Sequence, residues 1–273
     1  MKKWLSERKW VVGIAISCLA AASIVFIPRP SFEKRLLTSG KMNQENKNLK
    51  EAIDDYIRVV KYAPESNEAL EAARAGAEIS LYELKDYNVA IFFFRHIVRQ
   101  SQRRAEVHWA QETLAETYYE KLTNYPQAIM EYQRLLEGGH TGPEYSGYRL
   151  KLAPSYYYMG NFDQAILEAN DFLAKQPGDP LAFDMYMLKA NSLSAQKKTD
   201  EAMAIYKFVE AKFPNHPQVY EAKMSKSLVF EDRKDWEHAI QELTEIKDKY
   251  PQPDVIALKI KAIEHRRMRK KNE

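Results

Sequence analysis

One spacing constrains this chain more than any other feature. In TDEAMAIYKFVEAKFPNHP, residues 199–217, Ala202 is followed by Tyr206 four residues later and by Pro214 twelve residues later. The same offsets recur at Ala52, Tyr56 and Pro64, at Ala165, Ala169 and Pro177, and at Ala239, Leu243 and Pro251. Ala90 with Phe94, and Ala128 with Tyr132, keep the first offset without the proline. The six alanines step by 38, 38, 37, 37 and 37 residues. A second series of small residues, Ala77, Ala115, Ala153, Ala190 and Ser227, steps by 38, 38, 37 and 37. Periods of this length mark architectures built by stacking one supersecondary unit.

Residues four apart share a helical face, so each period reads as two helices. The small residue on the first helix and the alanine on the second let two backbones approach closely where they cross. The residue four further on, usually aromatic, fills the space beside that crossing. Proline ends the unit, because a helix interior loses a hydrogen bond there. Asn124 in KLTNYPQA and Asn161 in MGNFDQA read as N-caps of second helices, with Gln127 and Gln164 three residues on, a capping-box-like arrangement. Five full units and a leading half unit, Leu49 to Pro64, fill residues 49–251. Residues 252–273 read as a basic capping helix and tail, in which Val255, Ile256, Ile260 and Ile263 cover the last unit. The run EGGHTGPEYSGY, 137–148, is the one clear break, and with Pro154 just beyond it predicts an irregular or kinked helix.

Composition agrees with an all-α chain. Glycine is scarce, at nine residues, four of them within 138–147. Ala, Leu, Glu, Lys and Gln, which lose little freedom in a helix, are plentiful. No alternating runs bounded by turn dipeptides suggest strands.

The other strong signal is WVVGIAISCLAAASIVFI, residues 10–27, which carries no charge. As a helix it spans ~27 Å, close to the ~30 Å of a bilayer core. It reads as a transmembrane anchor behind a basic flank, residues 1–9, with residues 28–48 a linker or a helix continuing from it. Two other readings compete: a signal peptide cleaved near Ala20-Ala21-Ala22, and a lipoprotein with the single cysteine, Cys18, as attachment site. Lys2, Lys3, Arg8 and Lys9 precede the span, which places the N-terminus inside and the large domain outside. In a bacterium that is the inner membrane and the periplasm. The formal charge of +3 is unevenly placed: +3 before Pro28, +5 from Val255 onward, and therefore −5 between.

The Ala…aromatic…Pro pattern over residues 48–251 resembles the tetratricopeptide repeat (TPR) family. The resemblance implies a right-handed superhelical α-solenoid, here of five to six helix pairs behind an N-terminal transmembrane helix. The period is 37–38 rather than 34, the family's first-helix glycine is replaced by Ala or Ser or displaced, and its tryptophan is missing. Long repeats behind a membrane signal are similar to periplasmic envelope proteins of the family. The resemblance further implies a concave groove lined by the first helices. Carrying over the family's groove positions gives Arg74, Glu78 and Tyr82; Glu112, Glu116, Tyr119 and Glu120; Tyr157 and Tyr158; Asp184, Met187 and Asn191; Glu221, Met224, Glu231 and Asp232. Eight acids stand against one base, the wrong balance for gripping a partner's C-terminal carboxylate. A basic segment, or an apolar one that suits Tyr and Met, fits better. Tyr118 and Tyr156 belong to the core by the same register.

Signals of catalysis are absent. The sequence has no glycine-rich phosphate loop and no metalloprotease helix, and its six histidines have no ligand spacing. No cofactor or metal is expected. The basic tail is a poor match for nucleic acid; anionic lipid or the chain's own acidic groove is the more physical target. The reading is a non-catalytic scaffold at the cell envelope, against a chaperone-like holdase that binds many chains weakly, or a processed or lipidated soluble form of the same protein.

Overall fold

The structure, a computed structural model, describes residues 30–137 and 143–271. The segment 10–27, Cys18 and the basic residues ahead of them lie outside the described residues. Among the described residues no helix is long and apolar enough to cross a membrane.

Thirteen helices and no strand are found among the described residues: α1 Phe32–Glu45, α2 Leu49–Tyr62, α3 Asn67–Glu78, α4 Tyr87–Gln100, α5 Arg104–Glu116, α6 Tyr125–Glu137, α7 Pro143–Tyr158, α8 Phe162–Lys175, α9 Ala182–Ala195, α10 Thr199–Lys212, α11 Val219–Asp232, α12 Trp236–Ile246 and α13 Pro253–Lys271. They form two compact units, residues 1–96 and 97–273.

In the first unit α1 packs on α2. Within the stretch read as a linker or a continuing helix, Phe32–Glu45 is helical and supplies the first helix of the leading half unit. Gly40 on α1 lies 37 residues before Ala77 and extends the small-residue series by one. A Cβ at Gly40 would meet Tyr56 Cε1 at 2.5 Å, so the ring lies directly on the bare backbone. The crossing is fixed by polar bonds. Tyr56 Oη donates to Gln44 Oε1 (2.7 Å), and buried Asp55 accepts from Ser39 Oγ (2.6 Å) and Asn43 Nδ2 (3.1 Å). Gly76 on α3 meets the buried Phe93 ring in the same way. That glycine sits one residue before the register position, as does Phe93 relative to Phe94.

In the second unit each helix from α5 to α13 packs on the next, and α9 also touches α7 and α11. Its core is built from the repeat alanines and the residues beside them. Ala128, Ala165, Ala202 and Ala239 are fully buried, as are Tyr132, Phe172, Tyr206 and Leu243. Helix α7 begins at Pro143, inside the expected break, where a proline is favoured because the first N–H groups have no helical acceptor. It continues through Pro154 to Tyr158. Helix α13 covers the last unit with Ile256 and Ile263, both fully buried, and with half-buried Ile260, whereas Val255 is exposed. Thirty-seven residues past Ser227, α13 carries Glu264 in place of a small residue. Its outer side offers no further close crossing.

The two period lengths have a structural cause. A single π-turn extends α3 (Ile79–Glu83), and another extends α5 (Thr117–Lys121). Their wider hydrogen bonds run from Leu84 N to Ile79 O (2.9 Å) and from Leu122 N to Thr117 O (3.1 Å). Each takes up one extra residue. Every 38-residue step in both series crosses one of these turns, and every 37-residue step crosses none.

The turn inside each helix pair has one repeated device. Lys47, Lys85, Thr123, Gly160, Lys197 and Lys234, each five residues before a repeat alanine, have φ between 47° and 75°. Only one of the six is glycine. The next residue starts the second helix, and in four of the six its side chain caps it: Asp86, Asn124, Asn161 and Asp235. Asn124 and Asn161 accept from Gln127 N (3.3 Å) and Gln164 N (3.3 Å), the caps expected from sequence. The glutamine side chains reach forward as well, to Met130 Sδ and Glu168 Oε1.

Two predictions follow from this packing. A methyl at Gly40 gains about 1 kcal/mol of helix propensity but forces a buried, anchored ring aside at about 1–3 kcal/mol. Gly40→Ala should lower stability, while Gly147→Ala on α7, where a Cβ meets nothing within 4 Å, should raise it by about 1 kcal/mol. Urea unfolding of the pair decides this. The second concerns Lys226 on α11, which is 6% exposed and holds Glu210 (2.9 Å) on α10 and Glu242 (2.7 Å) on α12. Lys226→Ala leaves two carboxylates uncompensated and should cost about 3–5 kcal/mol in the same assay.

Candidate functional site

The register carries the groove positions onto the first helix of each pair. Glu78 and Tyr82 lie in the first unit, both exposed, Tyr82 at the π-turn that ends α3. Arg74 lies in the first unit as well; the other thirteen lie in the second unit, and the site is built there.

Helix α5 and its π-turn present Glu112, Glu116, Tyr119 and Glu120. The neighbouring first helix, α7, meets them side by side. Tyr148 Oη donates to Glu112 Oε1 (3.2 Å) and lies 3.0 Å from His108 Nε2. Lys151 Nζ reaches Glu120 Oε1 (2.8 Å) and stands 4.9 Å from the centre of the Tyr119 ring. Tyr119 is half-buried, edge-on to Tyr125 (5.8 Å between centroids) and Tyr132 (6.3 Å). Exposed Tyr158 stacks on Tyr125 (5.1 Å), and Tyr157 stands edge-on to Tyr158 (5.8 Å) and Phe162 (5.5 Å). The result is a stripe of carboxylates along a wall of tyrosines.

Electrostatics at the stripe are strained. Burial, then repulsion from Glu112 and Glu120, raises the Glu116 carboxyl above the ordinary range, although the residue is partly exposed. The Lys151 hydrogen bond holds Glu120 below it. Burial pushes the Tyr119 hydroxyl up to about 12.

Further along, on α9, burial raises Asp184, opposed by His216. Burial and Asp184 raise Glu221 on α11. His216 stacks on Phe183 (3.7 Å between centroids, 15°).

Three of the expected positions are taken up inside the fold. Met187 is buried in a core cluster with Phe183, Ala190 and Tyr206, because its side of α9 faces α10. Asn191 Oδ1 accepts from Tyr206 Oη (2.7 Å). Met224 is half-buried against the cluster of Ile256 and Ile263, beneath α13. Glu231, also on the expected surface, is held by Lys259 (2.8 Å) and Arg266 (2.9 Å) of α13, so part of the basic tail neutralises an acid of its own chain. Tyr118 is buried as expected, and half-buried Tyr156 accepts from Gln133 Nε2 (2.9 Å). Among the described residues no group of three or more His, Cys, Asp and Glu is placed to hold a metal ion.

Sequence register alone did not show that Tyr148 and Lys151 join this surface, or that buried Tyr132 packs beside its Tyr119. Tyr132 is the aromatic four residues after Ala128 and reads as core. Lys151, two residues before Ala153, falls between the carried-over positions.

Residues 150–217, two repeats in the 37-residue part of the chain, match the family model described as tetratricopeptide repeat. Those two repeats are of the tetratricopeptide type. Among solved structures the apo form of RapI is 16% identical with a TM-score of 0.59, over 88% of this chain and 72% of that one. BtubC (BKLC) from P. vanneervenii is 13% identical with a TM-score of 0.51, over 81% and 91%. YrrB, described as a TPR protein with an unusual peptide-binding site, is 15% identical with a TM-score of 0.50, over 76% and 97%. At these identities the likeness is one of fold. No curated protein gives a significant match to the sequence.

Stability should respond to the strained acid. The Glu116 carboxyl is raised in the folded state, so the charged form costs folding energy above that raised value, and the cost disappears once both states are protonated, below the unfolded value. Glu116→Gln should therefore raise Tm at pH 7 and leave it unchanged below pH ~4. Paired thermal melts across that range check the sign.

Proposed function

We propose that this protein is a non-catalytic scaffold of the tetratricopeptide repeat type. It holds a partner protein at the cell envelope, through the acidic, tyrosine-rich face of the first helices in its second unit. The observation that carries the reading is the Glu112–Glu116–Glu120 stripe beside exposed Tyr158, with charges that remain mutually repelling. A surface that holds like charges together at a cost to folding gains most from a partner that neutralises them. The complementary segment is basic, with apolar side chains to lie on the tyrosines. Tetratricopeptide folds serve as protein-interaction scaffolds, and the fold neighbour YrrB is described with a peptide-binding site.

The uncharged run at residues 10–27 supports single-pass anchoring in the inner membrane. The four basic residues before it support an inside N-terminus and a periplasmic repeat domain. Crosslinking pull-down of the full chain from membranes, with protease added to spheroplasts, tests both parts. One dominant envelope partner and external cleavage are expected. Glu112→Lys with Glu116→Lys should reduce capture at least tenfold, and unchanged capture would remove the acidic face from the reading. Many weak partners would favour a holdase, and a protected domain would reverse the topology.

A further inference from the structure

The hydroxyl of Tyr132 is the least explained group in the second unit. Tyr56, Tyr132 and Tyr206 occupy one repeat position, four residues after an alanine, and none is more than 1% exposed. Tyr56 donates to Gln44 and Tyr206 to Asn191, each at 2.7 Å. Tyr132 Oη is buried with no hydrogen-bond partner. A buried hydroxyl left unpaired is costly, and it is uncommon in a native fold.

The repeat register shows what stands opposite. Asn191 follows Ala190 directly, and Glu116 follows Ala115 directly. Glu116 thus holds the place from which Asn191 satisfies Tyr206, yet its carboxylate hydrogen-bonds to no described residue and forms no ion pair with one. The charges of Glu116, Glu120 and Glu112 all oppose ionisation of the Tyr132 hydroxyl, so it lies within their reach. The ring packs between Tyr119 and Tyr148, with centroids at 6.3 and 6.2 Å. At the outer edge Lys151 shows that this surface already holds one cation with a carboxylate and a ring together.

We propose that Glu116 and the Tyr132 hydroxyl receive one arginine side chain of a partner protein, flanked by Glu112, Glu120 and the Tyr119 ring. This rests on the acidic-face reading above and narrows it to a single site. Guanidinium fits for three reasons. It has donors in a planar fork that can serve a carboxylate and a phenolic oxygen at once. It lies against aromatic rings. It is less strongly hydrated than an ammonium, so it loses less on entering a half-buried site. A metal ion is a poorer fit, because the acids do not converge on one point.

The test is fluorescence anisotropy on the full-length chain in detergent, with labelled arginine, lysine and citrulline hexapeptides. Arginine should bind at least tenfold tighter than the neutral citrulline isostere and measurably tighter than lysine. Glu116→Gln and Tyr132→Phe should each weaken arginine binding about tenfold, the loss of one hydrogen bond to a charged group. Tyr132→Phe should keep or raise Tm, since it removes only an unpaired hydroxyl. A lower Tm would show that the hydroxyl is satisfied within the chain and would overturn the proposal. Arginine binding unchanged in Glu116→Gln and Tyr132→Phe, but lost in Asp184→Lys with Glu221→Lys, would overturn the site and keep the wider acidic face. No arginine binding by the wild-type chain would overturn both.

Discussion

Close approach of two helix backbones is the constraint on which the rest of this structure depends. It is made by a residue with almost no side chain on one helix and a flat or branched side chain laid across it from the other. Gly40 beneath Tyr56 shows it in its barest form, since even a methyl group would strike the ring. The fully buried small residues Ala77, Ala115, Ala153, Ala190 and Ser227 hold the same place on the later first helices. Because each crossing is set this way, the left-handed turn residue, the N-cap and the exposed face of each first helix return at fixed distances from it. A surface side chain such as Glu116 owes its position to an alanine that touches nothing outside the core.

Charge is handled differently inside and outside that frame. Where acids must be buried, the chain supplies its own cations: Lys226 between Glu210 and Glu242, and Arg149 against Glu168 and, at 3.0 Å, Asp171. The terminal helix repeats this at Glu231. The α5 stripe is served less completely. Lys151 answers Glu120 and Tyr148 answers Glu112, while Glu116 between them keeps its repulsion. Uneven neutralisation on one face of the well-packed second unit is a physical reason to look for function there.

The all-helical class and the helix-pair boundaries were legible from spacing, because small residues at crossings leave a signal that survives substitution elsewhere. Helix α1 was not. Leu36, Leu37 and Gly40 are its buried residues, and three apolar or small positions in fourteen do not stand out beside a strongly apolar neighbour segment. At the site, the acids and exposed tyrosines were legible because they project from a helix of known phase. Met187 was not, since α9 is apolar on more than one side and phase alone does not separate groove from core. The isolation of the Tyr132 hydroxyl was invisible in principle: it is a missing bond, and only coordinates show that Gln44 and Asn191 have no counterpart there.

The two π-turns have a consequence for how such a chain can change length. An extra residue inside a helix would rotate everything after it by about 100° and turn each buried face toward solvent. Here the insertion sits in the last turn before the left-handed residue, and the wider hydrogen-bonded ring absorbs it on the spot. Lys85 and Thr123 keep the same backbone sign as Lys47, Lys197 and Lys234, and the second helices start in the same phase. Units of 37 and 38 residues are therefore interchangeable parts, and the repeat can gain or lose a residue at this one place without a compensating change anywhere else.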